Sequence, residues 1–129
     1  MSVRIVERPD LGVSVVEVAG ELDMDSAPAF RRCLSDLLGA GAARIVVDAH
    51  RLRFCDSIGL SALVTTQKAC SARGGFLRLA GADETVLRLL LIVGLTDYVA
   101  AYASVEAAAS GDPAARAYAG HARAAETTA

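Results

Sequence analysis

The chain has 129 residues, enough for one compact domain around a single core. Hydrophobic residues make up 53% and charged ones 22%, which excludes a chain too polar to fold. The formal charge of -2, from 13 basic and 15 acidic residues, excludes the electrostatic footprint of a duplex nucleic-acid binder.

Val3 to Val6 reads as a short strand. Pro9-Asp10-Leu11-Gly12 is a turn signal and Val13 to Val18 a second strand, so the two predict an N-terminal hairpin. A helix opens near Met24, with Asp25 or Ser26 as cap and Pro28 in its first turn. Phe30, Cys33, Leu34 and Leu37 recur at helical spacing and give it one buried face, and Gly39 and Gly41 end it. Ile45-Val46-Val47 is the continuous apolar run of a strand covered on both faces.

After a loop containing Phe54, a second helix begins at Asp56 or Ser57. Its inward stripe is Leu60, Leu63, Val64 and Cys70, with Gln67 falling awkwardly on the same face. Gly74-Gly75 closes it and Phe76 to Ala80 makes the next strand. Asp83 caps a third helix with Val86, Leu89, Leu90 and Val93 inside, stopped by Gly94. Val99 adds a last short strand, and Ser104 to Ala109 a final helix. Strands alternating with helices predict an α/β fold with a mostly parallel sheet. The domain is set at residues 1–109, and the Ala-rich segment 110–129 is read as a tail outside the core.

Cys33, Cys55 and Cys70 are an odd number without a Cys-x-x-Cys pair, which argues against a disulfide framework or closed zinc site. Cys55 and Cys70 read as small core fillers. Met1 to Asp10 is too charged for an export signal, and the longest apolar run, Leu89 to Leu95, has seven residues, too few to span a membrane. A cytoplasmic location is the expectation.

The candidate chemistry lies in Phe54-Cys55-Asp56-Ser57-Ile58-Gly59-Leu60, between a buried strand and an amphipathic helix. Ser57 has two readings. It is either an N-cap whose oxygen accepts an orphan backbone amide, or a displayed hydroxyl where the helix start tolerates added negative charge. As an enzyme's own nucleophile it would need an adjacent base. His50 lies upstream in the loop, His121 lies in the tail, and no Gly-x-Ser-x-Gly elbow is present, so no catalytic residue is assigned. Neither a Walker pattern nor Gly-x-Gly-x-x-Gly occurs, and no cofactor is expected. Asp23, Asp48 and Asp56 lack the companions of a metal site and read as loop and cap carboxylates.

Gly20-Glu21-Leu22-Asp23 resembles the segment after the second strand of STAS domains, and Asp56-Ser57-Ile58-Gly59-Leu60 is similar to their Asp-Ser-x-Gly-Leu signature. Gly74-Gly75, and Ala82 to Leu95 with its Gly94-Leu95 stop, resemble further family features, in order, across about residues 3 to 109. The resemblance implies a single STAS-type domain: a mostly parallel mixed sheet with an N-terminal hairpin strand and helices packed on it. It is to the anti-sigma factor antagonist branch. There the serine matching Ser57 is phosphorylated by a partner that is both anti-sigma factor and serine kinase, and a serine phosphatase resets it. Ile58 stands where some relatives carry a second serine, leaving Ser57 as the single target in this loop.

The resemblance implies a partner-binding surface of Glu21, Asp23, Asp56, Ser57, Ile58, Gly59 and Ser61. Thr65 and Lys68 continue the flank begun by Ser61, either as contact surface or as an ordinary solvated face. The implied role is regulatory rather than enzymatic, with no direct nucleic-acid contact. A second reading is a non-catalytic scaffold or accessory subunit, as in stressosome-like or phospholipid-transport complexes. Oligomeric state stays open.

Overall fold

The computed structural model describes residues 1–117. Six strands lie side by side in chain order: β1 (Ser2–Arg8), β2 (Val13–Leu22), β3 (Arg44–Cys55), β4 (Phe76–Ala80), β5 (Ala100–Tyr102) and β6 (Arg116–Ala117). β1 and β2 form the antiparallel hairpin, β2 to β5 are parallel, and β6 returns antiparallel against β5. The crossovers are α1 (Ala27–Gly39), α2 (Ser57–Ala72) and α3 (Glu84–Ile92).

Alternation along the strands builds two cores. Val16, Val18, Ile45, Val47, Leu77 and Leu79 face Phe30 and Leu34 of α1, Leu60 and Leu63 of α2, and Val86 and Leu90 of α3. On the other face Val13, Val15, Val46, Ala80 and Tyr102 meet Ala107 and Ala108 of α4 (Val105–Ser110). Three helices therefore cover one face and a single short helix the other.

Several boundaries differ from expectation. β3 runs to Cys55, so Phe54 belongs to a strand rather than a loop. It pairs on both sides only over Arg44–Asp48, and beyond that with β2 alone. The doubly paired part holds the continuous apolar run Ile45–Val47. The singly paired part mixes exposed Arg51 and Arg53 with buried Leu52 and Cys55, and those charges disguised it. β2 likewise extends through two register irregularities to Leu22, carrying Gly20 and Glu21 into the sheet.

In α3 the buried residues are Val86, Leu87 and Leu90. Leu89 is half-buried, and Val93, placed inside by the helical spacing, is exposed because the helix ends at Ile92. Gln67 falls on the inner side of α2 for a reason: its Oε1 accepts the Leu77 amide of β4 at 2.6 Å. Ordered structure continues past residue 109: Ser110 closes α4, and Pro113–Ala115 form a 3-10 turn that delivers β6. Pairing on β5 satisfies backbone groups that a free tail would leave to water. The rest of that segment, with His121, lies outside the described residues.

The Gly-Gly pair divides its labour. Gly74 takes φ 79° with open space around it, whereas a Cβ on Gly75 would stand 1.7 Å from the Ala43 carbonyl oxygen. That oxygen also accepts the Phe76 amide at 2.8 Å, so neither backbone can retreat without losing the bond. Gly75→Ala is expected to lose more than about 2 kcal/mol in urea unfolding, and Gly74→Ala about 1. Equal losses would contradict the steric account.

Candidate functional site

The C-terminal ends of β2 and β3 form the site. Leu22 and Cys55 are partners in the parallel register, and the Asp56 amide donates to the Leu22 carbonyl oxygen at 2.8 Å. Asp23 and Asp56 therefore leave the sheet side by side. Each starts a turn into a helix, one toward α1 and one directly into α2.

At α2 the cap is Asp56, not Ser57. Its carboxylate Oδ1 accepts the amides of Ile58 and Gly59, both at 3.0 Å. Those are two of the donors that a helix start leaves orphaned, and the charge suits the positive end of the helix dipole. Ser57 is the first helical residue; its side chain is exposed and makes no hydrogen bond with the described residues. The cap reading of Ser57 is thereby overturned, and the displayed hydroxyl is what remains.

Gly59, one of the expected contact residues, is buried. A Cβ there would stand 2.7 Å from Cys55 Sγ and 3.3 Å from Leu22 Cβ. Its part is to let the first turn of α2 lie directly on the two strand ends. Cys55 beneath it has its thiol pushed up to about 12 by burial, reinforced by the Asp56 charge. It stays protonated and inert at neutral pH.

Around Asp23 the chain ties itself down. Ser26 Oγ lies 2.7 Å from the Glu21 carbonyl oxygen and 3.0 Å from Asp23 Oδ1, and it accepts the Asp23 amide. The Asp25 and Ser26 amides donate to the same Asp23 carboxylate. Ser26 therefore holds the α1 entrance without a side-chain bond to the helix amides, unlike an ordinary cap. The Ser26 hydroxyl, followed by these amides, holds the Asp23 carboxyl below its ordinary range.

Glu21, Ser57 and Ser61 are exposed; Asp23, Asp56 and Ile58 are half-buried. Sequence reasoning missed two neighbours, Met24 at 74% exposure and Phe54 at 40%. Met24 follows Asp23, and Phe54 pairs with Glu21. Their apolar character gave no warning that they face out. Along α2, Ser61, Thr65 and Lys68 are exposed, and Lys68 Nζ lies 5.9 Å from the centre of the Tyr98 ring. Asp48 stands apart, within β3, where its carboxylate engages His50 Nδ1 at 2.5 Å. Among the described residues no three His, Cys, Asp or Glu side chains group to hold a metal ion. Nor is any helix among them long and apolar enough to cross a membrane.

Residues 3–108 match the STAS domain profile. The chain belongs to the STAS domain family. Within it, the Bacillus subtilis anti-sigma-B factor antagonist is 39% identical over 85 residues, 65% of this STAS domain protein and 76% of the relative. A Thermotoga maritima structure described as an anti-sigma factor antagonist superposes with a TM-score of 0.74 at 27% identity, covering 85% and 92% of the two chains. The Mycobacterium paratuberculosis anti-sigma factor antagonist gives a TM-score of 0.76 over the same shares; at 24% identity that likeness concerns the fold. This STAS domain thus falls with the anti-sigma factor antagonists.

Two outcomes check the geometry. Asp56→Ala should destabilise the domain by about 1 kcal/mol in chemical unfolding, with Asp56→Asn losing less, since its amide oxygen can still cap. Ser26→Ala should move the Asp23 carboxyl back up toward its ordinary range in an NMR titration. The native Asp23 is depressed, so its contribution is present above the unfolded carboxylate pKa and is lost as pH falls through the folded value. The variant's stability deficit should accordingly be larger at neutral pH than below about pH 2.

Proposed function

We propose that this protein switches partners through Ser57: unmodified, it binds an anti-sigma factor that is also a serine kinase, and phosphate on Ser57 ends that binding. The observation that carries this reading is a free, exposed hydroxyl on the first residue of α2, beside a carboxylate that already serves as the cap. The fold does not use the hydroxyl, so the kinase can take it without unfolding anything.

The same arrangement gives the switch its character. A phosphate at a helix start ordinarily gathers backbone amides. Here the Ile58 and Gly59 amides are engaged by Asp56, so the new group finds no such cradle and stays on the surface. It would add about -1.5 to -2 charges at pH 7 beside Asp56, Asp23 and Glu21. The domain need not move. A partner seated on Met24, Phe54, Ile58 and Ser61 would have to desolvate that charge, which costs several kcal/mol when no partner cation is waiting.

In this reading the protein is a substrate and a ligand rather than an enzyme. The kinase supplies nucleotide, magnesium and base, a serine phosphatase removes the phosphate, and the cycle runs in the cytoplasm, where the nucleotide is. The anti-sigma-B factor antagonist relatives support it, as does the retained serine in the Asp-Ser-x-Gly-Leu setting.

The test uses the protein partner that co-purifies with the unmodified form. With ATP, the wild type should take up one phosphate and leave the complex. Ser57→Ala should bind with unchanged affinity and take up none. Ser57→Glu should lose about 2 kcal/mol or more, roughly thirtyfold in affinity. Phosphate uptake by Ser57→Ala at the wild-type rate would overturn the reading.

A further inference from the structure

On the α4 face of the sheet, three arginines are interleaved with two aromatic rings. Arg44 opens β3 and is the register partner of Phe76 on β4, and its guanidinium lies 5.6 Å from that ring's centre. Arg78, two residues along β4, stacks on the same ring at 3.6 Å and stands 5.7 Å from the Tyr102 ring of β5. Arg116 of β6 pairs with Tyr102 and approaches its ring to 5.6 Å. The order across the sheet is cation, ring, cation, ring, cation.

Part of this is explained by folding. Arg78 Nη1 donates to the Ala108 carbonyl oxygen at 2.8 Å, satisfying an acceptor at the end of α4. Arg44 and Arg116 have no such duty: both are exposed, and among the described residues no arginine of the three has an ion-pair partner. Glu7 accepts the Ser14 hydroxyl and Asp112 the Ala114 amide, and neither is ion-paired with the row among the described residues.

Burial pulls the central guanidinium, Arg78, below the ordinary arginine range; Tyr102 opposes this, and the charges of Arg44 and Arg116 add to the lowering. Like charges gathered on a chain of net charge -2 are a standing electrostatic cost, which a bound anion would remove.

We propose that the Arg44–Arg78–Arg116 row is a binding site for a phosphate-type oxyanion carrying two or more charges. Planar guanidinium forks suit bidentate contact with phosphate oxygens, and the rings beneath hold them in place at little further loss of side-chain freedom. Stacking of nucleic-acid bases is disfavoured, because Arg78 already covers Phe76 and Tyr102 is buried. The site stands apart from Ser57, with Arg44 at the start of β3. Arg116 is level, through Tyr102 and Ala80, with Asp48, seven steps before Cys55 or roughly 23 Å at about 3.3 Å each, more than two screening lengths of about 8 Å at physiological salt.

The test titrates the isotope-labelled protein with inorganic pyrophosphate at low salt, against sodium chloride of matched ionic strength. Saturable amide shifts should appear at Arg44, Phe76–Arg78 and Tyr102, and Arg44→Gln/Arg116→Gln should bind at least about tenfold more weakly while keeping the wild-type circular dichroism. Ser57→Glu should bind pyrophosphate as the wild type does, so the outcome is independent of the switch proposed above. A second arm sediments the protein with phosphatidylglycerol vesicles. Arginine-dependent co-sedimentation identifies a lipid headgroup as the source of the anion, and pyrophosphate binding alone identifies a soluble one. Shifts that sodium chloride reproduces, or that survive in the double variant, would overturn the proposal.

Discussion

One carboxylate organises the candidate site. Asp56 holds the Ile58 and Gly59 amides while its own amide is held by the Leu22 carbonyl, so a single residue fastens the start of α2 to the ends of two parallel strands. Because Asp56 does the capping, Ser57 is free of structural duty. A serine used as its own cap would have to break a helix bond to accept phosphate. Here the modifiable group and the stabilising group are adjacent residues with separate work.

The sheet supplies the rigid mount. β2 and β3 are paired far beyond the short apolar run of β3, and the extension carries Leu22 and Cys55 into register beneath Gly59. The absence of a Cβ at 59 lets the helix start settle onto that pair. Asp23, tied by Ser26 and two backbone amides, forms the second acidic shoulder. A charge added at Ser57 therefore meets a prearranged acidic surface on a backbone with little freedom to rearrange. That favours a switch acting by repulsion at the docked face over one acting by refolding.

The same sheet separates two electrostatic territories. The ends of β2 and β3 beside α1 and α2 carry Glu21, Asp23, Asp25 and Asp56, while the face under α4 carries Arg44, Arg78 and Arg116. The modest net charge conceals this division. Composition averages over the molecule, whereas a ligand or partner meets one face.

Much of the architecture was legible from local pattern. The hairpin turn, the strand Phe76–Ala80, the Asp83 cap and the alternation of strands with helices follow from periodicity and turn chemistry, which act over a few residues. The Asp-Ser-x-Gly-Leu run marked the site, but two capping residues in succession could not reveal which one caps. Only the placement of Leu22 beside Cys55 decides that, by holding the Asp56 backbone so that its carboxylate points at the amides. Non-local pairing also decided what lay hidden elsewhere: the charged half of β3 that has one neighbour, the β6 return beyond residue 109, Gln67 reaching the Leu77 amide, and Met24 and Phe54 turned outward. Local propensity reads one segment at a time, and each of these depends on a partner far along the chain.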